Sequence, residues 1–235
     1  MRSLRLALAL LLLLTGCDRA SGPTVYQYAA FAAFASGNYA GTLPLAGLKA
    51  HGDFGLGTFD SLNGEMIVLD GVVYRADLAC HLSQPSPTEL LPFAEVVFFK
   101  PEAGEAVGGS KDLAQLGAWL DARLPEGGFA AAKVKARFKS LTIRSVPGFT
   151  PPYPPFPEAL KAQRVLELKD VSGTLVGLRG PAMQNGVWIP GWHFHFVSAD
   201  AETGGHVLEL EGLEGQAAWM ASNHFELELP GAKRP

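Results

Sequence analysis

Three of the six histidines in this chain, His193, His195 and His206, are close enough in sequence to meet on one β-hairpin. Alternate residues of a strand share a face, so His193 and His195 project to one side while Trp192, Phe194 and Phe196 project to the other. Residues 198–205 are polar and end in Gly204-Gly205, which reads as a turn. Val207-Leu208-Glu209-Leu210 then resumes a strand that carries His206 back beside the first pair. Three imidazoles with no thiolate nearby suit Zn²⁺ or another first-row divalent ion and leave positions open for substrate. A closed structural zinc site would draw on cysteine, and the chain has only Cys17 and Cys80. The plainer reading is a pair of strand histidines on a solvated face with an unrelated third. The hairpin spacing of His206 and the aromatic opposite face favour the metal.

Other residues are weaker signals taken singly. Glu65 follows a glycine at a strand start, where a solvated carboxylate is the default, and Arg144 adjoins a proline-rich connection, where an exposed arginine is the default. Thr58 lies in the glycine-rich Gly55-Leu56-Gly57-Thr58-Phe59, which lacks the lysine and helix of a phosphate loop, so nucleotide binding is rejected. His51, His81 and His224 have no ligand spacing, and Cys80 reads as a structural thiol in a loop.

The elements that must position these groups are mostly short strands. Strands are predicted at 24–28, 55–59, 65–69, 72–75 and 94–99, with Asp70-Gly71 as a hairpin turn and helices at 30–36 and 45–51. Leu113, Leu116, Leu120 and Leu124 share one face of a predicted helix over 111–124, with Ser110 as its N-cap. A strand follows at 131–143. The prolines of 147–157 then force an extended connection to a short helix at 158–162. Further strands are predicted at 165–168, 174–178, 188–189, 193–198, 206–210, 217–221 and 225–229. The stretch 64–71 aligns with 173–180 through Gly, apolar pairs, Leu and Gly, a faint internal repeat.

The 235 residues suffice for a substantial core, and 48% hydrophobic against 18% charged residues describes a folded globular chain. A net charge of −4 with no basic cluster excludes a nucleic-acid partner. At the N-terminus, Arg2 and Arg5 precede an apolar run over 6–14 that is too short to span a bilayer, the pattern of a secretory signal. Leu14-Thr15-Gly16-Cys17 further resembles a bacterial lipobox, so Cys17 is expected to carry lipid. The expected organisation is a lipoprotein signal peptide over 1–16, a tether over 17–23 and two β-α-β units at 24–130 and 131–235. The protein would be exported and held at the cell envelope, touching membrane only through Cys17, with a homodimer allowed.

Several of these stretches together resemble the acetolactate decarboxylase family. They are His51-Gly52-Asp53-Phe54-Gly55-Leu56-Gly57-Thr58-Phe59, Leu62-Asn63-Gly64-Glu65, Arg144-Ser145-Val146-Pro147 and Pro152-Tyr153-Pro154-Pro155. Gly173-Thr174-Leu175-Val176-Gly177, Pro190-Gly191-Trp192-His193-Phe194-His195-Phe196 and Gly204-Gly205-His206-Val207-Leu208 complete the set, in the family's order. The resemblance implies an α+β fold of two related β-α-β₄ units with mixed and antiparallel sheets. It implies zinc on His193, His195 and His206, with Glu65 and Arg144 lining the same site and Thr58 a contact. The implied reaction is decarboxylation of (S)-2-acetolactate, a 2-hydroxy-3-keto acid, to (R)-acetoin and CO₂, with Glu65 handling the proton and Arg144 positioning the substrate. One departure is that the family's longer C-terminal tail brings a glutamate to the metal, whereas this sequence ends Gly231-Ala232-Lys233-Arg234-Pro235, and neither Glu226 nor Glu228 matches by position. The competing readings are a cupin-like metal oxygenase or isomerase and an exported metal-binding protein without catalysis.

Overall fold

The computed structural model describes residues 22–109, 111–183 and 185–231, so the expected signal peptide, Cys17 and the Ser110 cap lie outside the described residues. The first half runs β1 (Thr24–Tyr28), α1 (Phe31–Ala35), β2 (Leu43–Pro44), α2 (Leu45–Leu48), β3 (Phe54–Thr58), β4 (Glu65–Leu69) and β5 (Val72–Ala76). It continues with β6 (Leu82–Ser83), β7 (Leu90–Leu91), β8 (Phe93–Val97), β9 (Ala103–Gly109) and α3 (Leu113–Asp121). The second half is β10 (Phe129–Ser145), α4 (Phe156–Ala159), β11 (Arg164–Gly180), β12 (Gly191–Ser198), β13 (Gly204–Ser222) and β14 (His224–Glu228). The fold is α+β, mostly sheet.

A seven-stranded sheet has the order β14-β1-β8-β3-β4-β5-β6, antiparallel except where β1 meets β14. A five-stranded sheet has the order β10-β11-β12-β13-β9, and β10 also pairs with β13, which closes four strands into a small barrel. Sheet membership crosses residue 130, since β9 joins the second sheet and β14 the first. Both members of the aligned repeat are strand: 65–69 is β4, and 173–180 is the end of β11. Asp70 and Gly71 both have positive φ, 52° and 78°, which matches the turn that joins β4 to β5.

Three apolar clusters hold the layers. Phe54, Leu56, Ile67 and Val97 of the first sheet pack against Ala131, Val176, Leu178 and Met220 of the second. Phe138, Leu141, Leu175, Phe194 and Phe196 fill the barrel, capped by Leu116 and Leu120 of α3. Tyr26, Phe34, Tyr39, Leu43 and Met66 fill the far side of the first sheet under α1 and α2. Gly177 shows how tight the barrel is: a Cβ there would lie 2.3 Å from the Phe194 ring.

The structure corrects several expected elements. The predicted strands 165–168 and 174–178 are one strand, as are 206–210 and 217–221. Asp170 (φ 51°) and Gly212 (φ 60°) look like breaks in sequence. Both sit opposite Lys139 on the partner strand, where β11 and β13 bend together along β10 without losing their pairing. Residues 188–189 are not strand but an irregular segment. Helix α3 starts later than predicted, capped by Asp112 in a capping box with Gln115. The Ala/Gly/Glu-rich β9 carries little strand propensity of its own and exists because it pairs with β13.

Candidate metal centre

Strands β12 and β13 form the expected hairpin, and its short ladder pairs His195 with His206 directly. The ring nitrogens of His193, His195 and His206 lie within 4.8 Å of one another. His193 Nε2 is 2.9 Å from His206 Nδ1. His195 is buried, and its Nδ1 lies 2.9 Å from the carbonyl oxygen of Met66 in β4. A carbonyl only accepts, so the proton sits on Nδ1 and the Nε2 lone pair is left free. Among the described residues that Nε2 has no hydrogen-bond partner, and neither does the buried Nδ1 of His193.

Glu65 and Arg144 complete one ionic cluster with the histidines. Arg144 on β10 pairs with His206 on β13, so Arg144, His206 and His195 form a continuous row across three strands. The register shifts between Thr142 and Ile143, where Leu208 is the extra residue of a bulge; were Ile143 paired with Leu208 instead, Arg144 would face Val207. From the opposing sheet, Glu65 places Oε2 at 3.7 Å from His195 Nε2 and Oε1 at 3.3 Å from Arg144 Nη1. Arg144 Nη1 nevertheless makes no well-directed hydrogen bond, so a donor stays available. Thr58, opposite Glu65 on β3, donates its hydroxyl to the Gly64 carbonyl at 2.6 Å and fixes the turn that leads into Glu65.

These groups open into a cavity of about 310 Å³ whose other walls are apolar, including Phe31, Phe34, Phe93, Phe156, Ile189 and Trp192. Burial, helped by the Arg144 charge, pushes His193 down to about 3. Burial is also the leading cause that holds His195 and His206 well below the usual histidine range. All three are therefore neutral near pH 7, the form that binds metal. Burial pushes the Glu65 carboxyl up, and the Arg144 guanidinium opposes that shift. Two buried ring nitrogens without partners, one of fixed tautomer, beside a carboxylate are a donor set that fits a divalent ion.

All six residues singled out in the sequence thus lie in one place: His193, His206, Glu65, Arg144 and Thr58 line the cavity, and His195 stands just behind. His51, His81 and His224 are elsewhere; His51 stacks on Tyr26 with ring centroids 3.7 Å apart. The Met66 carbonyl and the apolar wall were not foreseen. A backbone acceptor leaves no mark in sequence, and Phe31 and Phe34 read simply as helix core.

A buried three-histidine cluster that could hold a metal, set between a mixed sheet and a small barrel and opening into an apolar cavity, defines an α+β class with an enzyme-like pocket. Comparison with known proteins is specific. The model of the alpha-acetolactate decarboxylase family matches residues 25–234. The alpha-acetolactate decarboxylase of Methanosarcina mazei is 41% identical over 210 residues, spanning 88% of this chain and 73% of that protein. That of Brevibacillus brevis is 34% identical over 207 residues, again 88% and 73%. The crystal structure of acetolactate decarboxylase from Bacillus subtilis subspecies spizizenii superposes with a TM-score of 0.85 at 30% identity, covering 89% of this chain and 90% of that one. The chain belongs to the alpha-acetolactate decarboxylase family.

Proposed function

We propose that this protein decarboxylates (S)-2-acetolactate to (R)-acetoin and CO₂, with zinc held by His193, His195 and His206. The observation that carries the reading is the row Arg144–His206–His195 facing Glu65 across an apolar cavity, in a chain of this family. Bound zinc would supply Lewis acidity toward the adjacent keto and hydroxyl oxygens of a 2-hydroxy-3-keto acid.

The chain's own residues account for the rest. Arg144 offers its unpaired Nη1 to the substrate carboxylate and orients it. When the bond from that carboxylate to C2 breaks, CO₂ leaves and the electron pair flows onto the keto oxygen, giving an enediolate. Too tight a grip on the carboxylate would favour the ground state, so Arg144 serves positioning more than stabilisation. Glu65, raised by burial, is placed to hold a proton and deliver it to one face of the enediolate carbon. Thr58 keeps Glu65 in place through the Gly64 turn. The aromatic walls exclude water and receive the methyl groups.

The test is release of acetoin and CO₂ from racemic acetolactate before and after chelation, with zinc then restored. Zinc-restored acetoin from one enantiomer supports the reading, and a folded, metal-loaded protein without turnover refutes it. Oxygen uptake in the same assay would favour an oxygenase. Export and lipid attachment at Cys17 form a separate part of the proposal. Mass spectrometry of the membrane-extracted protein should show an acylated N-terminal cysteine that Cys17→Ala abolishes, and an intact, unmodified N-terminus would refute it.

A further inference from the structure

A second pair of buried polar residues lies one pleat below the cavity and has no part in the chemistry above. Gln27 of β1 and Glu95 of β8 are direct partners in the antiparallel ladder, and both are buried. Directly opposed side chains have Cβ atoms about 5 Å apart on the same face, a spacing that two long polar side chains can bridge. Gln27 Nε2 donates to the Ala29 and Val187 carbonyls, each at 2.6 Å. Both acceptors are carbonyls, so the amide orientation is fixed with nitrogen toward them and Oε1 turned away. That Oε1 is buried and has no hydrogen-bond partner among the described residues.

A buried amide oxygen beside a carboxyl group admits one favourable pairing, in which the carboxyl is a neutral acid and donates its O–H. The surroundings keep it neutral. In its row Glu95 is flanked by Gln27 and Leu56, with Leu227 beyond Gln27 and Ile67 beyond Leu56. Across the sheet interface lie Val176 and Leu178 of β11. The titratable groups that share this interface are Tyr74 on β5, next in the row beyond Ile67, and Glu65 on β4 in a different row. On the facing sheet they are His193 and His195 on β12 and Lys133 on β10, which pairs with Asp70 and lies over Phe99, with Arg144 beyond them. Burial alone pushes Glu95 up to about 8, with no charged neighbour contributing.

The segment that Gln27 holds is a wall of the substrate cavity. The Val187 carbonyl also accepts from the Phe31 amide, and the Gly186 carbonyl accepts from the Ala32 amide. Gln27 thereby joins the start of α1, which carries Phe31 and Phe34 into the cavity, to the irregular segment that carries Ile189 there. It also holds the carbonyl of Ala29, whose left-handed backbone (φ 68°) turns the chain from β1 into α1.

We propose that Glu95, as a neutral acid, and Gln27 form a positioning clamp on the apolar wall of the cavity, which ionisation of Glu95 releases. An ionised carboxylate would repel Oε1 and draw the amide nitrogen toward itself, freeing the Val187 and Ala29 carbonyls. The wall then loosens, and binding of a 2-hydroxy-3-keto acid weakens while the histidines, Glu65 and Arg144 stay in place. The substrate part of this inference rests on the functional reading above; the clamp itself does not.

The test compares the full-length, metal-loaded protein with E95Q, which keeps a donor for Oε1 but cannot ionise, and with Q27L, which has no clamp. Amide hydrogen exchange at Phe31 and Ala32 reads the wall directly. Wild type and E95Q should exchange alike at about pH 6, and wild type should exchange about tenfold faster than E95Q at about pH 9, as two lost hydrogen bonds imply. Q27L should be fast at both pH values. KM for acetolactate should rise by a similar factor in wild type alone, with kcat moving less. The infrared difference spectrum of wild type minus E95Q at about pH 6 should contain the carbonyl stretch of a neutral carboxylic acid, which Glu95 adds to any band from Glu65. Equal exchange in wild type and E95Q at both pH values, or no neutral-acid band in that difference, would overturn the clamp. The expected exchange pattern without turnover of acetolactate would keep the clamp and refute the substrate reading instead.

Discussion

His195 is fixed by one backbone atom. The Met66 carbonyl takes the Nδ1 proton, so Nε2 is presented without any rearrangement. His195→Ala should leave a folded protein that retains less than about a tenth of the wild-type zinc after dialysis, the scale set by loss of an oriented ligand. Full retention of metal would show that the ion binds elsewhere. Glu65→Gln should keep the metal and lower kcat by about 100-fold or more, the usual contribution of a positioned acid. Near-normal turnover with metal intact would remove Glu65 from the proton transfer. At this scale the sequence was legible for the histidines, because a strand's two-residue period settles which side chains share a face. Arg144 was legible only through the family resemblance, since its own sequence neighbourhood reads as exposed. Its place beside His206 depends on the pairing of β10 with β13 and on a bulge at Leu208, neither of which is local.

Among the elements, the barrel strands show how much a site depends on register. Because the bulge at Leu208 brings Arg144 opposite His206, Arg144→Gln should raise KM for acetolactate while the zinc content is kept; an unchanged KM would show that Arg144 does not position the substrate. Gly177→Val should cost about 1–3 kcal/mol in urea unfolding, since its side chain would enter the space of the Phe194 ring. No loss would mean that the barrel is looser than its contacts imply. The elements that sequence predicted well were those with their own signal, such as α3 with its leucine face and the Asp70-Gly71 hairpin. Long strands were read as two wherever Asp170 or Gly212 interrupted the apolar run, and β9 had no propensity to betray it. Pairing with a partner strand overrides local preference in both cases.

For the whole molecule, the two sheets meet in an apolar layer that contains Glu95, and this gives stability a pH dependence with a definite sign. The folded carboxyl stands at about 8 against 4.5 for the ordinary group, so between those values the folded chain binds more protons than the unfolded one. Its contribution is fully present below the ordinary carboxyl range, falls as pH rises and levels off above about 8. Urea midpoints measured across that range should fall in wild type and fall less in Glu95→Gln; parallel curves would place Glu95 outside this effect. The predominance of short strands and turns was legible in the residues, and the α+β class followed from the family resemblance. The closed barrel and the exchange of β9 and β14 between sheets were not legible, because they are long-range pairings.

We propose that the three-histidine centre and the apolar cavity together make a zinc decarboxylase. The most direct test is acetoin formation from acetolactate as metal-free protein is titrated with zinc. Activity should rise in proportion to bound zinc and level off at about one ion per chain. Full zinc binding with no acetoin formed would contradict it.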